Sequence, residues 1–140
     1  MLEPPIRNIG VAGIRKAAQM VPRWPEKLSA DELRQALYNA YIFISAEGGT
    51  GGGIFRYMFS RFLREAAAIT GDLRLIESAD EFQLIGDRWE ELGEWFRRAS
   101  EADDPASLPG ECVAPLNGLA DLEETAWGRL RDIVACHVGP

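Results

Sequence analysis

A run of glycines is the feature of this sequence with the clearest potential for chemistry. Five of the six residues from 48 to 53 are glycine, and the sixth is Thr50. A helix that begins at such a run presents unpaired backbone N–H groups and the positive end of its dipole to an anion. Because glycines also let a ligand approach the backbone, the run is a candidate anion site. The alternative is a sharp helix-to-helix turn with close backbone packing.

A basic and aromatic segment follows the glycines directly. Arg56 and Tyr57 fall in the first turns of the next helix, where they could hold a phosphate or a carboxylate. The predicted ligand-binding set is therefore Gly49, Thr50, Gly51, Gly52, Gly53, Arg56 and Tyr57. We expect Arg56→Ala to weaken anion binding with little change in melting temperature. The alternative is that the arginines of this helix pair with the acidic second half of the chain.

Other residue types offer little for catalysis or metal binding. The run lacks the Lys-Ser/Thr of a P-loop and does not follow a strand, so it matches no standard nucleotide motif. Cys112 lies in a Pro/Gly-rich loop, and Cys136 is followed directly by His137, although adjacent helix positions seldom face each other. We predict no catalytic residue, no metal site and no cofactor. The acidic pairs Glu90-Glu91 and Glu123-Glu124 are interpreted as solvated helix faces.

The elements that position these residues are predicted to be helices. Apolar residues recur at intervals of three and four, most cleanly at Phe82, Ile85, Trp89, Leu92, Phe96 and Ala99. The sequence predicts a capping box from Ser29 to Glu32 and a left-handed helix end at Gly71. A second Ser-x-x-Glu, from Ser78 to Glu81, either begins a helix or lies inside a longer one. We predict an all-α, single-domain bundle of about five helices, over 8–21, 30–46, 51–70, 74–100 and 115–136. The third is so apolar that we expect it to be central.

Composition excludes several classes of protein. The chain has 140 residues, 46% of them hydrophobic, and a net charge of −7. This acidic balance argues against nucleic acid as a partner, and the absence of a long apolar run argues against a membrane span. Two cysteines and no secretory signal predict a cytoplasmic protein. Residues 1–70 carry nine basic and six acidic side chains, whereas residues 71–140 carry six and sixteen. The basic half either faces an anionic ligand or acidic partner, or is one solvated face of the domain.

Three segments carry a resemblance to a known family. They are IGVAGIRKAA at 9–18, PRW at 22–24 and GGTGGGIFRYMFSRFLREAA at 48–67. Together they resemble the C-terminal helical domain of the butirosin-biosynthesis-protein-H family, a domain of unknown function. The glycine run, the aromatic-basic stretch and Phe-Leu-x-Glu-Ala-Ala are the specific part. The resemblance is strongest over 9–70.

That resemblance implies a role in natural product biosynthesis. Proteins of the family carry an N-terminal domain similar to cysteine peptidases, and the named member moves an acyl group from a carrier protein's phosphopantetheine onto an aminoglycoside amine. Nothing in this sequence matches that domain's nucleophilic cysteine. The resemblance therefore implies a non-catalytic accessory domain, with the glycine loop as an anion or phosphopantetheine site. An acyl carrier protein or a separate cysteine-peptidase-like chain would be its partner. The alternative is a helical interaction module, such as a homodimer, with no small-molecule site.

Overall fold

The computed structural model describes residues 9–48 and 51–137, and helices dominate both ranges. The α-helices are α1 (Gly10–Met20), α2 (Trp24–Lys27), α3 (Ala30–Ile44), α4 (Gly53–Thr70), α5 (Arg74–Glu101) and α6 (Val113–His137). Short 3₁₀ turns lie at Val21–Arg23, Ala46–Gly48, Pro105–Ser107 and Pro109–Cys112. No strand occurs in these two ranges. The predicted all-α bundle is confirmed, because the five longer helices match the five that periodicity predicts.

Helix α5 is the centre of the bundle. It packs against α3, α4 and α6, while α1 packs on α6. Its apolar stripe is buried as predicted, and Phe82 is fully enclosed. The Phe82 ring meets Phe59 of α4 and Trp127 of α6 edge-on, with ring centroids 4.8 Å away in both cases. These edge-to-face contacts join three helices at one point of the core.

The predicted helix ends are confirmed. The backbone N–H of Ser29 donates to Glu32 Oε2 over 2.8 Å, and the Glu32 N–H donates to Ser29 Oγ, which completes the capping box. Gly71 adopts φ 75° and donates its N–H to Ala67 O, as a left-handed helix end should. The second Ser-x-x-Glu lies inside α5, where Ser78 is buried.

The expected placement of α4 is wrong. Its buried residues are Gly53, Ser60, Leu63 and Ala67. The opposite face carries a row of large apolar side chains that are more than half exposed: Phe55, Met58, Phe62 and Ile69. We call these four residues the outer row of α4. The helix is therefore peripheral, because it packs on α5 through the face that holds Ser60, Leu63 and Ala67 and leaves the outer row in solvent.

The uneven charge of the two halves is balanced within the molecule. Arg15 of α1 pairs with Asp121 at 2.9 Å and with Glu124 at 2.6 Å, both on α6. On α4, Arg56 pairs with Glu123 and Arg64 with Asp80. The basic first half thus pairs with the acidic second half. These ion pairs agree with the alternative that the arginines pair with the acidic second half of the chain, so no external anion is needed to explain them.

Candidate functional site

The glycine loop crosses the C-terminal end of α3 at very short range. A Cβ at Gly48 would lie 2.0 Å from Ile42 O, and a Cβ at Gly52 would lie 2.0 Å from Ile44 O. Gly52 also adopts φ 51°, which side-chain-bearing residues rarely adopt. Gly51 is placed almost as closely, 3.1 Å from Phe43 O. These three glycines are therefore needed for the turn itself, because the chain passes directly over the last carbonyls of α3.

A carboxylate of the protein itself lies at the start of α4. Glu90 of α5 accepts the Ala46 N–H with Oε1 over 2.7 Å. The same oxygen would lie 2.2 Å from a Cβ at Gly53, so a side chain at that position would displace the Glu90 carboxylate. The negative charge of Glu90 suits the positive end of the α4 dipole. An external anion at this end of α4 would be repelled by the Glu90 carboxylate and by the nearby carbonyl oxygens of α3.

The Arg56 guanidinium lies between the loop carbonyl of Gly52, to which Nη1 donates over 3.3 Å, and a carboxylate within the bundle. Its Nε and Nη2 both lie 2.7 Å from Oε1 of Glu123 on α6. Glu123 is buried, with only 1% of the residue exposed. The indole N–H groups of Trp89 and Trp127 complete the arrangement, with bonds of 3.0 Å to Oε1 and 2.9 Å to Oε2. The Arg56 guanidinium also lies over the Trp89 ring at 5.5 Å. Burial of this charge is tolerated because it has a cation and two further donors as partners.

A cavity of about 420 Å³ opens beside this ion pair. Helices α1, α4, α5 and α6 all contribute to its wall. The lining is mainly apolar, with Arg56 and Glu123 as its charged members; its aromatic residues are Phe55, Phe59, Phe82 and Trp127. Small-molecule sites in proteins have this size range and this mixture of apolar wall and few polar groups.

Tyr57 serves the contact between α4 and α5. Its hydroxyl donates to Asp87 Oδ1 over 2.8 Å. Its ring covers Gly86, where a Cβ would lie 2.6 Å from Tyr57 Cε1. Burial and the bond to Asp87 raise the pKa of Tyr57, so the phenol stays protonated throughout the neutral range. Glycine at position 86 is explained by this close approach of the ring.

The predicted ligand-binding residues divide into two groups. Gly51, Gly52 and Gly53 lie at the α3–α4 turn, whereas Arg56 and Tyr57 turn toward α6 and α5 respectively. Gly49 and Thr50 lie outside the described residues. Among the described residues, the Arg56 guanidinium contacts the loop backbone at one carbonyl, where Nη1 donates to Gly52 O over 3.3 Å. The structure therefore does not place this guanidinium and the N–H groups of the loop around a common anion position. An anion site at the loop stays a prediction.

The interpretation of the two acidic pairs as solvated helix faces is wrong for one residue of each pair. Glu123 is buried and Glu90 is half-buried, while Glu124 and Glu91 are exposed as expected. Helical spacing could have identified Glu123, because it lies four residues after Leu119 and three before Ala126, on the buried face of α6. A carboxylate at such a position requires a buried partner. Arg56 is that partner.

The first cysteine has no catalytic character. Cys112 is fully buried, and its thiol donates to Pro109 O. Burial raises the pKa of Cys112 to about 11, so the reactive thiolate is scarce at neutral pH. Cys136, by contrast, is exposed near the end of α6. Among residues 9–48 and 51–137 no group of three or more His, Cys, Asp or Glu could hold a metal ion, and none of their helices is long and apolar enough to span a membrane.

Comparison with known proteins places the chain in a family. No curated protein and no solved structure matches it. One family matches residues 1–130, which is nearly the whole chain. The protein therefore belongs to the DUF4872 family, a domain of unknown function.

Proposed function

We propose that this protein is a non-catalytic helical domain that docks on a protein partner through the outer row of α4. The observation that carries the proposal is the exposure of that row: Met58 is 57%, Phe62 58% and Ile69 86% exposed. Contiguous apolar surface of this kind marks interaction sites on soluble domains.

The spacing of the row supports a helix-packing interface. Phe55, Met58, Phe62 and Ile69 follow one another at intervals of three, four and seven. These intervals keep all four side chains on one stripe of the helix. The opposite stripe is already packed on α5. Helix α4 thus has one face packed on α5 and one exposed apolar face. A second layer of structure, supplied by a partner, would bury that exposed face.

Charge narrows the kind of partner. Arg56 and Arg64, two of the three arginines of α4, are paired with carboxylates of this chain. Arg61 and Glu65, both exposed, bring opposite charges to the outward surface. A nearly neutral, apolar surface suits an apolar partner face better than an Asp/Glu-rich carrier protein. We therefore favour a cysteine-peptidase-like unit over an acyl carrier protein as the partner.

The resemblance to the butirosin-H-like family supports this choice of partner unit. In that family a similar helical domain accompanies a cysteine-peptidase-like acyltransferase domain. By this analogy we propose an accessory role in an acyl-transfer system of natural product biosynthesis, located in the cytoplasm. By the same analogy the catalytic cysteine would belong to the partner unit, and the burial of Cys112 agrees with this assignment.

A titration of the helical domain with a purified butirosin-H-like cysteine-peptidase unit tests the proposal. Isothermal calorimetry should give saturable binding with a negative heat-capacity change, the mark of apolar burial. A self-associating domain would instead show a mass that rises with its own concentration in sedimentation equilibrium. Self-association through α4 without any binding to the cysteine-peptidase unit would replace our proposal with the homodimer.

A further inference from the structure

We infer that the cavity beside Arg56 binds a small molecule that carries a carboxylate on an apolar body. This inference goes beyond docking through α4 and does not depend on it. The cavity lies between α1, α4, α5 and α6, and its volume of about 420 Å³ is enough for a small organic ligand. It is distinct from the glycine loop, where Glu90 already provides a carboxylate.

The guanidinium of Arg56 has donors left over. Of its five N–H groups, the pair on Nε and Nη2 goes to Glu123 and one on Nη1 goes to Gly52 O. The two N–H groups that form the outer fork, one on each terminal nitrogen, have no acceptor in the described part of the chain. The Arg56 side chain is 25% exposed and belongs to the lining of the cavity.

The charge of Glu123 is already matched within the protein. Its Oε1 accepts the Nε–H of Arg56 and the Trp89 indole N–H and lies 2.7 Å from Arg56 Nη2, and its Oε2 accepts the Trp127 indole N–H. A cationic ligand would have to compete with the Arg56 guanidinium for this carboxylate, whereas an anionic ligand would find the outer fork of Arg56. Planar, two-point recognition of a carboxylate is what a guanidinium fork does best.

The wall of the cavity defines the rest of the ligand. Phe55, Phe59 and Trp127 present aromatic surface, and Val11 adds an aliphatic contact from α1. A bare inorganic anion would leave this surface exposed to water. A ligand with an aromatic or aliphatic body would cover it, and the removal of apolar surface from water would favour binding.

Matched probes test this assignment on the full chain. We would titrate 3-phenylpropionate, its neutral amide 3-phenylpropionamide and inorganic phosphate, and follow backbone and indole N–H signals by NMR. The acid should bind about tenfold or more tightly than the amide, because a charge-assisted bond is lost with the amide. The signals that move should be those of Gly10, Val11, Phe55, Phe59 and the Trp127 indole. Phosphate should move them least.

Two variants locate the binding. Phe55→Ala removes part of the cavity wall and should weaken the acid several-fold. Phe43→Ala, which removes an exposed phenylalanine on α3 outside the cavity, should leave binding unchanged. Arg56→Lys keeps a cation opposite Glu123 but removes the fork, and should reduce the preference for acid over amide.

Three results would overturn the assignment. Equal affinity for acid and amide would remove the role of Arg56. Movement of signals in the larger groove between α5 and α6, lined by Leu84, Trp95 and Leu122, would place the ligand elsewhere. Absence of any shift with all three probes up to their solubility limits would leave the cavity as a packing defect. None of these results bears on docking, which Met58 and Phe62 test separately.

Discussion

Helices α4 and α5 are both rich in aromatic residues, yet they use them in opposite ways. The apolar stripe of α5 is buried on three sides, whereas the outer row of α4 faces solvent. The inward face of α4 instead holds Arg56 and Ser60. Each of these has a buried partner, since Arg56 bonds Glu123 and Ser60 Oγ donates to Ala79 O over 2.7 Å. The comparison teaches that a helix can pack through a face that includes satisfied polar groups and leave a row of large apolar side chains exposed.

The largest expected effect is the loss of protein stability when a phenylalanine is removed from α5 rather than from the outer row of α4. Phe82→Ala on α5 should lower the free energy of unfolding by about 3–5 kcal/mol, because a fully buried ring is removed. Phe62→Ala on α4 should change it by less than about 0.5 kcal/mol, because that ring is 58% exposed. Urea denaturation of both variants measures the difference. Equal losses would mean that the outer row contributes to the fold of the isolated domain.

The next effect concerns the polar side of α4. Arg56→Met should cost about 3 kcal/mol, because it leaves the Glu123 carboxylate buried without its cation. This revises the expectation of little change in melting temperature for an Arg56 variant. The double variant Arg56→Met/Glu123→Leu should recover most of the loss. If the double variant is no more stable than the single one, the ion pair is not what fixes this face of α4.

The α3–α4 turn should be more sensitive to substitution than the α4–α5 turn. Gly52→Ala should cost about 2–3 kcal/mol, because its Cβ would meet Ile44 O in addition to the strained φ. Gly71→Ala should cost about 1 kcal/mol, because Gly71 also has positive φ but has open space around it. Thermal denaturation of the pair compares them. A Gly52 variant that keeps its stability and loses anion binding would restore the loop as an anion site.

The smallest effect on stability concerns the thiols. Iodoacetamide should label Cys136 in the native protein and leave Cys112 unmodified, since burial raises the pKa of Cys112 to about 11. The folded state therefore keeps this proton longer than the unfolded chain does. Stability should fall as the pH rises from about 9, the ordinary thiol value, toward 11. Mass spectrometry before and after unfolding counts the labels. Rapid native labelling of Cys112 would contradict its burial.

Much of the fold could be predicted from local signals in the sequence. The Ser29–Glu32 capping box, the Gly71 helix end and the α5 stripe depend on neighbours in the chain, and all three are confirmed. The orientation of α4 could not be predicted in this way. It depends on Glu123, which is 67 residues away from Arg56 in the chain and pairs with it only in the folded state.

The candidate site shows the same limit. Glycines at 48, 51 and 52 indicated either a ligand or a close approach, and the two demand the same residue type. Only the positions of the α3 carbonyls and of Glu90 reveal that the approach is to the protein's own backbone and carboxylate. The cavity beside Arg56 combines residues from four helices, so no single stretch of sequence contains it.

The affinity of the helical domain for a butirosin-H-like cysteine-peptidase unit tests docking through α4 most directly. Met58→Glu/Phe62→Glu places charges on the outer row and should weaken that affinity about thirtyfold or more, as expected at the centre of an interface. Tyr38→Glu/Phe43→Glu is the matched control, because it places two charges on exposed aromatic positions of α3. We predict that this control binds like the unmodified domain. An α4 variant that keeps full affinity, or a control that loses as much as the α4 variant, would contradict docking through α4.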